Sequence, residues 1–268
     1  RQLPTVYEAH EWHTRQPLFH LFLRLVNDPS LLGIVSITES LGTKYLKSGL
    51  APSKLVIEPD AVDLGRFRPD MSKAQARQKL DLPNEQPIVC HSGSLQAWRG
   101  VEGLLEVAKL TPELQWVLVG GRDEDIRRFD HLIQEKGLAN VLLVPRVSLD
   151  EVPIWLSAAD ILVMYYPADM RIASTASPMK MFEYMASERP IVSVRIPGVQ
   201  EVLRHGETAL LVESEDHRAF AVALRKILDD LELSTHIAEN ARKRIKDFTW
   251  SKRASRLLGR IHGWMQRA

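Results

Sequence analysis

Cysteine is nearly absent from this 268-residue chain, in which Cys90 stands alone. No intramolecular disulfide can form, and the composition suits a reducing compartment, so a cytoplasmic location is expected. Long apolar runs are missing as well. No stretch of 18 apolar residues occurs, and nothing resembles a signal peptide, so no membrane-spanning helix is expected. An excess of one charge is also lacking. Against 35 Lys and Arg stand 34 Asp and Glu, a net charge of +1. That balance argues against a nucleic-acid binder, which carries a strongly basic face. The nine histidines do not cluster at ligand spacings, and no Asp-x-Asp pair appears, so no metal site is expected. Motifs for a Ser or Cys nucleophile, internal repeats and low-complexity segments are absent too. The chain opens on Arg1 rather than Met, and the expectation is that something precedes it in the whole protein.

What remains is ordinary globular composition, with 45% hydrophobic and 26% charged residues, enough for one large or two modest domains. Strand-like patterns at 3–10, 32–38 and 54–58 enclose an apolar helix at 17–26 and a second helix at 39–48. Three strands and two helices make only part of a doubly wound sheet. Residues 1–68 are therefore read as the back half of one domain, its front half lying outside this sequence.

From about residue 70 the pattern changes to regular alternation. Strand-like runs at 87–93, 115–120, 141–144, 160–165, 190–194 and 208–212 are separated by helical patterns near 100–109, 123–136, 149–157, 178–187 and 217–230. Such alternation with short loops predicts a parallel sheet covered on both faces. Residues 69–248 are read as a complete Rossmann-like domain that binds its ligand at the carboxyl ends of the strands. Basic amphipathic helices near 234–246 and 250–266 close the chain. The fold class is α/β.

The chemistry concentrates in Ser177-Pro178-Met179-Lys180-Met181-Phe182-Glu183-Tyr184-Met185-Ala186. Ser177 is a good N-cap and Pro178 suits the first helical position. Lys180 in the first turn opposes the helix dipole unless an anion docks in front, and phosphate is the usual one. Lys180 and Glu183 share a helix face, which suits a ligand with phosphate at one end and hydroxyls at the other. The same spacing fits a solvated ion pair worth ~0.3 kcal/mol. Upstream, Ser92-Gly93-Ser94-Leu95-Gln96-Ala97-Trp98-Arg99-Gly100 places a glycine loop after a strand, with a guanidinium at its end. That arrangement can hold a pyrophosphate through backbone N–H groups and a charged fork. It also fits a plain turn followed by an exposed Arg. The glycines Gly120-Gly121 after the next strand allow close backbone approach, or simply a turn.

The segment from Ser177, continuing through Arg189-Pro190-Ile191-Val192, resembles the donor site of the retaining GT-B glycosyltransferases of family four (glycosyl transferases group 1). The resemblance extends to 56–69, which is similar to the family's interdomain linker, with Asp60-Ala61 in place of Asn-Gly. It also covers Gly198-Val199-Gln200-Glu201 with Leu210-Leu211-Val212, and Phe248-Thr249-Trp250. It implies a GT-B fold whose final helix, 249–268, crosses back to the first domain. The implied activity is transfer of a sugar, with retention, from a nucleoside diphosphate sugar of UDP or GDP type to an acceptor hydroxyl. The acceptor would be a glycan, a lipid-linked molecule or a small molecule, and no cofactor would be needed.

The implied site follows residue by residue. Arg99 and Lys180 would neutralise the leaving diphosphate, and Glu183 would accept from the ribose hydroxyls. Gly93, Ser94, Ser177 and Met179 would border the nucleotide, with Arg146 and Val147 beside the base through main chain. His10, with His13 as a competitor, would face the reacting centre from the other side of the cleft. Thr175 stands where the family usually has a Glu on the donor sugar, and Ser94 stands where it has an Arg. Glu201, on the donor-sugar side, is read as a helix-start carboxylate that would fix its loop beside the nucleotide, or simply partner a helix dipole. Two rival readings remain: a sugar-nucleotide 2-epimerase and a non-catalytic GT-B protein that binds a nucleotide or a partner. The 17–26 helix, with Arg15 and Arg24 nearby, either packs against the missing front half or rests on the inner face of a membrane.

Overall fold

The computed structural model describes residues 3–12, 24, 26, 28–67, 71–167 and 174–267. Apart from Arg24 and Val26, the expected 17–26 helix lies outside the described residues, as do His13 and Arg15.

Two parallel sheets form the chain, as the α/β reading requires. The first comprises β1 (Thr5–Ala9), β2 (Leu31–Ser36) and β3 (Leu55–Ile57), side by side in that order. Between β2 and β3 runs helix α1 (Glu39–Lys47), capped by Thr38, whose hydroxyl accepts from Leu41 N at 3.1 Å. Leu41 and Tyr45 bury one side of α1 against Ala9, Leu31 and Ile34.

Helix α2 (Lys73–Lys79) follows the linker, and the sequence pattern gives no hint of it. It has no apolar stripe. What it buries is Ala76 and the Arg77 side chain, and an ionic anchor is invisible to hydrophobic periodicity.

The second sheet has the order β6-β5-β4-β7-β8-β9. Its strands are β4 (Ile88–Ser92), β5 (Gln115–Val119), β6 (Val141–Val144), β7 (Ile161–Met164), β8 (Ile191–Val194) and β9 (Leu210–Val212). All neighbouring pairs are parallel. The connecting helices are α3 (Gly103–Leu110), α4 (Asp123–Lys136), α5 (Val152–Ala158), α6 (Met179–Ala186), α7 (Pro197–Val202) and α8 (His217–Asp229). Burial on both faces explains the unbroken Val-Ile-Leu runs: every residue of β4, β7 and β8 is buried. From β4 the chain winds outward to β5 and β6, and from β7 the opposite way to β8 and β9. The loops after β4 and β7 therefore diverge, and a crevice opens between them.

Helix α9 (Leu231–Arg244) starts three residues before the expected 234, because Asp230 caps it by accepting from Leu233 N at 2.9 Å. The last helix, α10 (Trp250–Met265), returns to the first sheet. Arg253 donates to Pro59 O at 2.8 Å and to the Glu8 carboxylate at 2.8 Å. The Trp264 indole donates to Ser53 O at 2.8 Å and fills the space that Gly33 leaves by lacking a Cβ.

Candidate functional site

A cavity of about 870 Å³ lies over the carboxyl ends of β4, β5 and β7 and is closed on its far side by His10, Ile37 and Asp60. Of the residues singled out in the sequence, His10, Gly93, Ser94, Arg99, Arg146 and Val147 line it. Ser177, Met179, Lys180 and Glu183 complete the group. Thr175 and Glu201 do not line it.

The glycine loop forms the floor. Gly93 N donates to Val119 O at 2.8 Å, so the chain leaving β4 lies against the end of β5. Gly93 and Gly120 both have left-handed backbones, φ +131° and +125°. A Cβ on Gly120 would sit 2.1 Å from Gly93 O, and one on Gly93 would sit 2.7 Å from Lys180 Nζ. Only glycine lets the two loops and the lysine amine converge.

One wall is the start of α6. Ser177 is not its N-cap, contrary to expectation. Pro178 takes the cap position with an extended backbone (φ −71°, ψ 115°), and no side chain caps the helix. The helix consequently begins at Met179, and the buried Ser177 hydroxyl makes no hydrogen bond among the described residues, though it lies near enough to the Asp60 carboxyl to favour its ionised form. Lys180 remains in the first turn, with its amine end enclosed. Its Nζ is 3.1 Å from His91 Nε2, and His91 Nδ1 is 3.2 Å from Val163 O. Burial, and then the Arg99 guanidinium nearby, push the Lys180 amine down to about 7. Glu183 faces it one turn on. Burial raises that carboxyl, while Lys180 and Arg66 pull it back.

Arg99 ends a short turn, Ala97–Arg99, with its guanidinium 4.3 Å from the centre of the Trp98 ring. Its Nε is buried without a hydrogen-bond partner among the described residues, as is the Tyr166 hydroxyl on the same cavity wall. Buried polar atoms left unpaired cost stability, and in a cleft they are available to a polar ligand.

Opposite stand His10 and Asp60. His10 Nε2 lies 3.1 Å from the Glu8 carboxylate, which also accepts from Arg253. Asp60 is buried, and burial raises its carboxyl against the opposing pull of His10 and Arg253.

Glu201 sits elsewhere. It is no helix-start carboxylate of its own helix, since it lies near the end of α7. Its two oxygens accept from Glu39 N at 2.8 Å and Ser40 N at 3.2 Å, at the N-terminus of α1. It is a dipole partner across the two sheets. Thr175 is buried, and its carbonyl accepts from the Thr38 hydroxyl at 3.3 Å.

Three residues of the site escaped the sequence reading. Asp60 was visible only as a departure from a linker pattern. Tyr166 follows β7 at its carboxyl end, the place where ligands bind in such sheets, and that rule points to it. His91 sits near the carboxyl end of β4 and looks like an ordinary core residue until its ring is seen against Lys180. Among the described residues, no group of three or more His, Cys, Asp or Glu could hold a metal ion. Among them too, no helix is long and apolar enough to cross a membrane.

Residues 72–244 match the family model of glycosyl transferases group 1. A D-inositol 3-phosphate glycosyltransferase of Nocardioides sp. is 30% identical over 227 residues, covering 77% of this chain and 48% of that protein. Its counterpart in Thermobispora bispora is 27% identical over 231 residues, 79% of this chain and 52% of that protein. The chain thus spans about half the length of the curated relatives it matches. Among solved structures, Anabaena HepE in complex with UDP superimposes with a TM-score of 0.84 at 18% identity, over 97% of this chain and 72% of that one. Sucrose-phosphate synthase of Thermosynechococcus elongatus gives 0.80 at 23% identity, over 98% and 68%. These likenesses show the GT-B type of fold. With well over half of its length, residues 72–244 of 268, inside the family model, the chain belongs to the glycosyl transferases group 1 family.

Proposed function

We propose that this chain carries the donor site of a retaining glycosyltransferase that moves a sugar from a nucleoside diphosphate sugar to an acceptor hydroxyl. The observation that carries the reading is the meeting of Arg99 and Lys180 in the cavity floored by the glycine loop, where the buried Arg99 Nε has no hydrogen-bond partner among the described residues. As the glycosidic bond breaks, negative charge develops on the leaving diphosphate. Two fixed cations in an enclosed cleft stabilise that charge far better than water does. They supply the charge that a divalent ion supplies elsewhere, so EDTA is expected to leave transfer unchanged.

In this reading Glu183 accepts from the ribose hydroxyls and the main chain at Arg146 and Val147 borders the base. Gly93 and Ser94 cradle the diphosphate, and His10 faces the reacting carbon. No carboxylate stands at Thr175, so front-side displacement accounts for retention better than a covalent intermediate. The UDP held by the Anabaena neighbour makes UDP-sugars the first donors to test, and GDP-sugars the second. The names of the relatives make D-inositol 3-phosphate the first small acceptor, ahead of glycans and lipid-linked hydroxyls.

The test is product analysis by NMR with UDP-glucose, UDP-N-acetylglucosamine and GDP-mannose. An axial product from an axial donor supports the reading, and an inverted product would contradict it. A non-catalytic role is favoured by one observation, the buried Thr175 where a sugar-holding carboxylate is expected. Tight nucleotide binding without turnover of any donor would support that role instead.

A further inference from the structure

We propose that His91 is a positioning residue for Lys180, and that binding of a donor diphosphate takes up a proton on the Lys180 amine. The inference rests on the donor-site reading above and adds to it a second residue and a proton.

His91 is fully buried in β4. Its Nδ1 lies 3.2 Å from Val163 O. A carbonyl only accepts, so Nδ1 carries the hydrogen and Nε2 presents its lone pair. The amine of Lys180 donates to that lone pair across 3.1 Å. Burial, the Lys180 charge and Arg99 all hold the imidazole far below its usual range, so the ring stays neutral and its tautomer is fixed. His91 therefore acts as a rigid neutral acceptor under the amine, anchored by the neighbouring strand β7. Gly93 leaves the space in front of Nζ open, because a side chain there would strike it.

The groups facing the amine are few. From β4 come His91 and Cys90, whose thiol is pushed up to about 12 by burial and so is uncharged. The short turn after the glycine loop contributes Arg99, a like charge. Glu183, one turn along α6, is the opposing carboxylate. Burial and Arg99 outweigh Glu183, and the free amine sits near 7. A diphosphate bound between Arg99 and Lys180 reverses the balance and restores the full ammonium. A group whose affinity for protons rises on binding takes them up. Donor affinity is thus full below about pH 7 and falls as the pH rises above it, until the amine of the complex itself titrates.

The experiment is calorimetric titration with UDP-glucose at pH 6 and pH 8, each in two buffers of different ionisation enthalpy. UDP-glucose is the probe because its diphosphate carries no group that titrates near neutrality. The expected result is uptake of well over half a proton per donor bound at pH 8 and little at pH 6, with affinity several-fold weaker at pH 8. Lys180→Met should bind weakly and take up no proton at pH 8, which assigns the proton to the lysine. His91→Phe keeps the ring volume but removes the acceptor. It should weaken binding at least tenfold at pH 7 and move the fall in affinity to lower pH. His91→Gln, which restores an acceptor, should recover most of the loss. Donor binding with no proton uptake at pH 8 would overturn the proposal while leaving the donor site intact. So would a His91→Phe variant that melts normally and keeps the pH profile of the parent. No binding of UDP-glucose, UDP or GDP at any pH would sink the donor site and this inference together.

Discussion

Gly120 shows how narrowly single residues define the site. Its φ of +125° and the 2.1 Å approach of any Cβ to Gly93 O leave no room for a side chain. Gly120→Ala is expected to cost at least ~2 kcal/mol, from backbone strain and forced separation of the loops. On the proposed donor-site reading it should also lower nucleotide affinity, because the loop that moves is the glycine floor of the cavity. A thermal melt and a titration check the two effects separately, and an unchanged melting temperature would contradict the packing described. The glycines and cations of this floor were legible in sequence because loop chemistry is local. Gly93, Arg99, Lys180 and Glu183 sit in short motifs whose spacing alone left a plain turn or a solvated ion pair open; the family resemblance singled them out, and the fold brings all four to one cavity. His91 was not legible. Its partner is 89 positions away, and nothing in a buried strand distinguishes a histidine that packs from one that holds a lysine.

At the scale of elements, α2 is held by charge rather than by grease. Arg77 donates to Ala158 O at 2.9 Å, to the carbonyls of Pro83, Asn84 and Gln86, and to Asp160 at 2.5 Å. Asp160 also accepts from Lys73 at 2.6 Å and from Ile88 N at 2.7 Å. Removing one partner of a buried pair strands the other, so Arg77→Ala is expected to destabilise by about 3–5 kcal/mol. Denaturant unfolding checks this, and a loss under 1 kcal/mol would mean that the anchor is ornamental. Burial opposes the ionised form of Asp160, but its hydrogen bonds and the neighbouring cations prevail and hold its carboxyl below the usual range. Its contribution is therefore present above the ordinary carboxylate range and is lost as the pH falls through the depressed value. Asp160→Asn should flatten the acid limb of the stability profile. The strands of the second sheet and most of its helices were readable because apolar runs and turn residues encode them. Helix α2 was not, because its buried face is a guanidinium. The Ser177 cap failed for a related reason: a proline can take the cap position itself and send the preceding hydroxyl elsewhere.

The whole molecule is two parallel sheets joined by contacts that few short motifs foretell. Glu201 reaches from the second unit to the helix N-terminus of the first, and Thr38 donates to Thr175 O. On the other side Arg253 ties α10 to the linker and, through Glu8, to the strand that leads into His10. If these ties hold the two sheets at a fixed separation, loosening one should change the width of the cleft. Glu201→Gln keeps the shape but weakens the acceptors, and it should widen the distribution of cleft distances seen by scattering. Arg253→Ala should lower stability by several kcal/mol, since it leaves the Glu8 carboxylate and two linker carbonyls short of a donor. If transfer is observed, the same change should lower kcat more than KM, because His10 loses its support while Arg99 and Lys180 keep theirs. The crossing of α10 was suggested by Phe248-Thr249-Trp250, whereas the Glu201 contact was not, since its partner is backbone and backbone has no signature in sequence.

The central claim is that Arg99, Lys180 and Glu183 together form a nucleotide-sugar site. Calorimetric titration of the chain with UDP and with GDP, beside the Lys180→Ala, Glu183→Ala double variant, tests it most directly. The account predicts binding of one nucleotide by the parent and at least a hundredfold loss in the variant. Equal binding by both proteins, or by neither, would contradict it.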